Sequence, residues 1–320
     1  MIAVKAIQIT EFGGPEMLEP AELPDPVAGP GQVVVESVRT GVNFADTHAT
    51  RDRYLARQEL PLVPGLEFTG IASDGRRVAG VVPNGAYAEA IAVDEGGLVE
   101  IPAAVDDDTA AALLVQGLTA DAILRVSGNL RAGESVVVNA AAGGTGSLCV
   151  QLARAMGAGR VIGMASSPEK RRLVEELGAD VAIDSTDPDL TASVLAANDG
   201  GPVDLVLEMA GGSAFDQLLE AVAPFGRLVT FGIASGEPNT VRTQDLMRSS
   251  RSVAGFWINH LFERPEMVRD GLERVMAAAA SGEIETVIGG VRPLSEARSV
   301  HEEMAARRTV GKMLLDPKAR

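Results

Sequence analysis

The chain has 320 residues, enough for about two domains, and carries 28 Lys and Arg against 44 Asp and Glu, a net charge of −16. Such a surface repels nucleic acid and anionic membranes, so both are poor partners. A single Cys149, no signal peptide at the start and no apolar run of the roughly 18 residues needed for a membrane span predict a soluble cytoplasmic protein without an internal disulfide.

With 46% hydrophobic residues, 3% aromatic residues and 35 Gly, the composition suits an α/β protein with many tight turns. Residues 1–118 alternate short β-rich pieces, such as Gln32–Val38 and Tyr87–Val93, with Gly13-Gly14-Pro15, Pro24-Asp25-Pro26, Gly29-Pro30-Gly31 and Pro64-Gly65. Proline cannot donate to a sheet ladder, so these turns punctuate a mostly antiparallel domain. From Thr119 strands and helices alternate, the pattern of βαβ crossovers on a parallel sheet. The expected strands are Ser135–Asn139, Arg160–Ala165, Val181–Asp184, Val203–Met209, Arg227–Phe231 and Ser252–Phe256. The first leads into Ala141-x-Gly143-x-x-Gly146, with Gly144 and Thr145 inside, and then a segment with Leu148, Leu152 and Met156 on one helical face. A strand, a small-residue turn and a helix N-terminus form a phosphate site, although Ala stands where the dinucleotide pattern has its first Gly. The alternative is a glycine-rich turn with no ligand. In the next crossover helix Ser167 is placed as N-cap, Pro168 at the first helical position and Gly178 at the stop. A long helix over Pro265–Ser281 and short extended pieces ending in Gly311–Leu315 close the chain.

The blocks GVNFADTH (Gly41–His48), PGLEFTG (Pro64–Gly70), LLVQGLTA (Leu113–Ala120), AAAGGTG (Ala140–Gly146), FGRLVTFG (Phe225–Gly232) and GKMLLDP (Gly311–Pro317) together resemble the medium-chain dehydrogenase/reductase superfamily, in its zinc-free, zeta-crystallin-like quinone oxidoreductase branch. The resemblance runs from about Lys5 to Pro317. It implies a GroES-like catalytic domain (1–118), a Rossmann domain with a doubly wound six-stranded sheet (119–258), and a return segment (259–320) that completes the first. It also implies hydride transfer from a nicotinamide in a cleft between the domains, and a homodimer formed through the edge strand near Ser252–Phe256. Two departures are visible: the segment from Gly70 to Gly85 is about a dozen residues shorter than usual, and His48 stands where relatives often carry Tyr.

At the ligand positions of zinc-dependent relatives the chain offers Asn43, Leu66 and Gln116, which make a poor zinc set, so no metal is expected. Without a Lewis acid an electron-poor acceptor, a quinone or an enone, is the expected substrate. Where relatives that use NAD end the second strand with an acid, this chain has Ala165, followed by Ser166, Ser167, Glu169, Lys170 and Arg171. Small residues, hydroxyls and cations there favour a 2′-phosphate and hence NADPH; alternatively Ser167 is only a cap and Lys170 and Arg171 lie on a solvated face. The resemblance places cofactor contacts at Asn43, Thr119, Gly143, Gly144, Thr145, Gly146, Ser166, Ser167, Lys170, Phe231, Gly232, Ile233, Phe256 and Lys312. Trp257 either covers the nicotinamide or joins a dimer contact. Asn43 either donates to developing oxyanion charge or closes an Asx-type turn; Tyr54 and His48 are candidate proton or hydrogen-bond donors, against plain packing roles; Asp46 reads as a structural acceptor. Two alternatives stay open: an enoyl-thioester reductase acting on acyl-CoA or a carrier protein, and a non-catalytic NADPH-binding protein.

Overall fold

A computed structural model describes residues 3–52 and 57–319. The chain divides into two compact units, one of residues 1–118 and 258–320, the other of residues 119–257.

In the first unit β1 (Ala3–Gln8) pairs antiparallel with β2 (Glu19–Pro24). The larger sheet grows around the eleven-residue β3 (Gln32–Val42). β3 pairs antiparallel with β4 (Glu67–Ala72), which pairs in turn with β5 (Arg77–Val81); β6 (Ala90–Asp94) also lies on β3, and β7 (Leu98–Glu100) on β5. The shortened segment after Gly70 closes as a tight hairpin between β4 and β5, with Gly75 at φ +89° and its N–H donating to the Ala72 carbonyl. The strand expected at Tyr87–Val93 begins only at Ala90. Tyr87 and Ala88 turn instead to β1, where the Ile7 N–H donates to the Tyr87 carbonyl and Ala6 bridges Ala88. Helix α1 (Phe44–Ala49) follows β3, and α2 (Asp107–Ala122) continues as a π-helical turn over Ile123–Ser127. Contrary to the sequence expectation, Asp107–Ser127 is long and apolar enough to cross a membrane. It is mostly buried within the protein, and a helix apolar on all sides is what a core position selects.

The second unit runs β8 (Ser135–Val138), α3 (Gly144–Ala155), β9 (Arg160–Ala165), α4 (Pro168–Glu176), β10 (Val181–Asp184), α5 (Leu190–Ala197), β11 (Val203–Glu208), α6 (Gly212–Glu220), β12 (Val222–Thr230), α7 (Thr243–Ser249) and β13 (Ser252–Gly255). The strands form one parallel sheet in the order β10-β9-β8-β11-β12-β13. Val136, Val137 and Val138 are fully buried, as the unbroken apolar run of a two-sided parallel strand requires. β12 starts five residues earlier than expected. Pro224-Phe225-Gly226, outside the expected strand, form an irregularity inside the observed one, with Phe225 at φ +68° and the pairing to β11 shifting between Val203 and Leu205.

The chain then returns to the first unit through α8 (Asn259–Phe262), α9 (Pro265–Ala280), β14 (Ile288–Pro293), α10 (Ala297–Ala305) and β15 (Lys312–Asp316). β15 pairs parallel with β14 and antiparallel with β3. The fold is thus α/β: a mixed, mainly antiparallel sheet in the first unit and a doubly wound parallel one in the second.

Candidate functional site

In the second unit the expected cofactor residues gather at the carboxyl edge of the parallel sheet. The chain leaves β8 through Asn139 and Ala140, the latter at φ +52°, and reaches Gly143, the N-cap of α3. The Ala141 N–H donates to the Met164 carbonyl of β9 at 2.9 Å, which keys the turn to the neighbouring strand. Gly146 is required for close packing: a Cβ there would lie 2.8 Å from the Ala141 Cα. The first amides of α3, at Gly144, Thr145 and Gly146, have no intrahelical acceptor, so the turn presents donors and the positive end of the helix dipole. That cradle fits a pyrophosphate.

β9 ends at Ala165, and Ser166 follows on the surface. The Ser167 hydroxyl accepts the Lys170 N–H at 3.2 Å, so the capping role is real. Arg171 is tied back by Asp184 at 3.0 Å and the Ala165 carbonyl at 3.2 Å, while Lys170 sits half-buried in the first turn of α4. The Glu169 carboxylate points to solvent; bonds from its own N–H and the Ser167 hydroxyl hold it below its usual range. Phe231, Gly232 and the exposed Ile233 follow β12, and the half-buried Phe256 follows β13 with its N–H on the Thr230 carbonyl. On the other side of β12, at the end of β11, Glu208 is buried and pushed upward by desolvation; its Oε1 accepts from Asn139, Ala210 and Gly211. Thr119 lies buried in α2.

In the first unit strand register assembles a second polar group from distant parts of the chain. Thr40 faces Phe68 across β3 and β4, and Val42 faces Met313 across β3 and β15, so Asn43, Glu67 and Lys312 converge at the end of β3. All three are buried, at 4%, 0% and 1% exposure. The Lys312 ammonium donates to Asn43 Oδ1 at 2.7 Å and forms an ion pair with Glu67 Oε1. Asn43 Nδ2 donates to the same Glu67 oxygen at 2.7 Å, and Glu67 Oε2 accepts the Val115 N–H at 2.6 Å. Gly41 makes room, because a Cβ there would lie 2.6 Å from Glu67 Cδ and 2.7 Å from Lys312 Cε. Asn43 caps α1 with its backbone, and its N–H donates to Asp46 Oδ2 at 2.8 Å; its side chain serves the ion pair rather than an Asx turn.

Asp46 in turn accepts from the Tyr87 hydroxyl at 3.0 Å, and that hydroxyl also meets His301 Nε2 at 3.0 Å. Burial pushes the Asp46 carboxyl up to about 7, opposed by the Asn43 N–H and Lys312. Burial pushes His301 down to about 4, helped by the charge of Arg51. Sequence reasoning gave Asp46 its acceptor role but did not find Glu67, Tyr87 or His301 as its neighbours. The signal available was a charged residue opening each of the apolar strands EFTGIA and KMLLD. Lys312, expected to touch cofactor, has its ammonium engaged within this cluster. His48 lies in the last turn of α1, edge-on to Phe44 with ring centroids 5.1 Å apart, and Tyr54 lies outside the described residues.

At the positions where the resemblance puts zinc ligands stand Asn43, Leu66 and Gln116. An alkyl chain cannot coordinate, neutral amides are weak donors, and the adjacent Glu67 carboxylate already holds an ammonium, so this set does not fit zinc. Among the described residues no three His, Cys, Asp or Glu side chains cluster to hold a metal elsewhere.

A family described as zinc-binding dehydrogenase matches residues 144–280. The chain is 35% identical to a quinone oxidoreductase of Pseudomonas aeruginosa, over 98% of this chain and 99% of that protein. It is 30% identical to a 2-haloacrylate reductase of a Burkholderia species, over 99% and 100%. The crystal structure of Escherichia coli quinone oxidoreductase complexed with NADPH superposes with a TM-score of 0.92 at 28% identity, covering 98% of this chain and 100% of that one.

Proposed function

The chain belongs to the medium-chain dehydrogenase/reductase superfamily, in its quinone oxidoreductase branch, and on that premise we propose that it is an NADPH-dependent oxidoreductase passing a hydride to a quinone or an α,β-unsaturated carbonyl without zinc. The carboxyl edge of the parallel sheet carries the reading. There the Gly143–Gly146 turn presents unpaired amides, and β9 ends on Ala165, followed by Ser166, where a carboxylate would exclude a 2′-phosphate.

NADPH, when bound, supplies the hydride. The N-terminal amides of α3 hold its pyrophosphate; Ser166, Ser167 and Lys170 hold the 2′-phosphate, with Arg171 adding only long-range charge because Asp184 retains it. Thr119, Phe231, Gly232, Ile233 and Phe256 wall the nicotinamide. Asn43 donates a hydrogen bond to the acceptor oxygen as negative charge develops there. Tyr54 and His48 are second-rank candidates for that donation, and the proton comes from water. The 2-haloacrylate reductase relative supports an alkene conjugated to an electron-withdrawing group as one acceptor class.

The test follows NADPH absorbance on chelator-treated protein with a small quinone, an α,β-unsaturated ketone and crotonyl-CoA in parallel. Turnover of quinone or enone is expected. Turnover of the thioester alone identifies an enoyl-thioester reductase, and tight NADPH binding without any turnover identifies a non-catalytic binding protein. β13, which ends the sheet, is the proposed pairing edge of a homodimer; light scattering should then give twice the 33.2 kDa of one chain.

A further inference from the structure

Resting on that role for Asn43, we propose that Glu67 and Lys312 are positioning residues that hold the Asn43 amide in one orientation and leave it a single N–H for the acceptor oxygen. The argument counts donors and acceptors. A carboxamide has an acceptor oxygen and a nitrogen with two hydrogens, an ammonium can only donate, and a carboxylate can only accept. The atom 2.7 Å from Lys312 Nζ is therefore the Asn43 oxygen, and the atom 2.7 Å from Glu67 Oε1 is its nitrogen. Turning the amide over would set ammonium against N–H and carboxylate against carbonyl, two repulsions in place of two charge-assisted bonds.

The clamp is itself fixed. Glu67 Oε2 is held by the Val115 N–H at 2.6 Å, and Lys312 by the pairing of β15 with β3. The Asn43 backbone is held by Asp46, so neither rotation nor translation of the amide is open to it. One hydrogen on Nδ2 remains unassigned by these bonds. The cation at Oδ1 draws electron density from the amide and makes that N–H a stronger donor. It rewards a developing oxyanion more than a neutral carbonyl, so the contribution belongs to the transition state rather than to binding. The cationic element of the site is thus a lysine supplied by the last strand of the chain.

Three variants test this: Lys312→Ala, Glu67→Gln and Lys312→Ala/Glu67→Gln. NADPH affinity is read from fluorescence titration, kcat and KM from quinone and enone turnover, and folding from circular dichroism. Each variant should lose at least about tenfold in kcat, a fraction of the effect of deleting an oxyanion donor, while NADPH affinity stays within about threefold. Ethylammonium should restore Lys312→Ala saturably, and the double variant should lose less than the product of the single losses because both act through one amide. Should Lys312→Ala fail to fold, the isosteric Glu67→Gln carries the test alone. Folded variants with kcat within twofold of the parent would overturn the proposal. So would a loss of NADPH affinity that matches the loss of kcat, which would make Lys312 a cofactor contact. If the parent chain turns over no acceptor, the functional reading falls and takes this proposal with it; a working parent with undiminished variants sinks the proposal alone.

Discussion

His301 and Asp46, joined through the Tyr87 hydroxyl, titrate in opposite senses, and removing either should tilt the dependence of stability on pH. Unfolded, an Asp titrates near 3.8; in the fold Asp46 is raised to about 7. Across that interval the folded chain holds a proton the unfolded chain has released, so this group's stabilisation falls as pH rises. His301 does the reverse. Its value drops from 6.5 to about 4, so across that interval the unfolded chain holds the extra proton and stability rises with pH. Each slope is about 1.4 kcal/mol per pH unit where one state is protonated and the other is not. Both groups are buried, so solvent does not discount either slope, and between roughly pH 4.5 and 6.5 they nearly cancel. In His301→Phe the Asp46 slope stands alone. From pH 5.0 to 6.5, above the isoelectric point near 4.7, the variant should lose about 2 kcal/mol relative to the parent, or about 4–8 °C in Tm. Asp46→Asn should gain a similar amount over the same range. The assay is thermal unfolding by circular dichroism at four pH values, and its readout is the slope, since the lost hydrogen bonds shift each variant by a constant offset. Parallel Tm–pH lines for all three proteins would refute the reasoning.

Other consequences are simpler to measure. Gly41→Ala puts a methyl group against the Glu67–Lys312 pair and should cost about 1–3 kcal/mol in chemical denaturation, with kcat falling alongside. Lys170→Ala should raise KM for NADPH about tenfold or more and leave KM for NADH nearly unchanged, since one charge-assisted contact is worth about 1.5–3 kcal/mol; equal effects on both would remove the phosphate assignment. Gly146→Ala forces the first turn of α3 away from Ala140 and Ala141, so NADPH binding by fluorescence titration should weaken at least about tenfold even where the protein stays folded. Ala140→Gly removes the left-handed strain at φ +52° and should leave stability unchanged or raise it by up to about 1 kcal/mol.

What the sequence made legible was whatever is decided locally. Ser135–Val138 is a strand because Val136–Val138 must be buried on both sides, and α4 begins where it does because Ser167 can cap it and Pro168 can open it. The glycine turn between β8 and α3 was legible for the same reason: its strand, small residues and helix are contiguous. Errors began where a local signal had a non-local resolution. Pro224-Phe225-Gly226 breaks a strand in isolation, yet β11 and β13 on either side of β12 hold it as an irregularity within one strand. Tyr87 suits the β-rich run before Val93, but its hydroxyl is wanted by Asp46 and His301, and the backbone there joins β1.

The buried cluster is the extreme case, because no window of the sequence contains it. Asn43, Glu67 and Lys312 come from three strand ends up to 269 residues apart, and only the registers of β3 with β4 and β15 bring them together. Each residue alone is a liability in an apolar core; a buried ion pair rarely repays its desolvation through Coulomb attraction, and apolar replacements of like volume are often as stable. Stability alone therefore gives little reason for the cluster. Gly41 gives up a side chain to admit it, and Val115, within α2, gives its backbone N–H to it. When local and global preferences conflict at several residues around one amide, the amide is the place to look for function. That inference starts from the misfit and depends on Asn43 being more valuable held still than the core would be if it were dry.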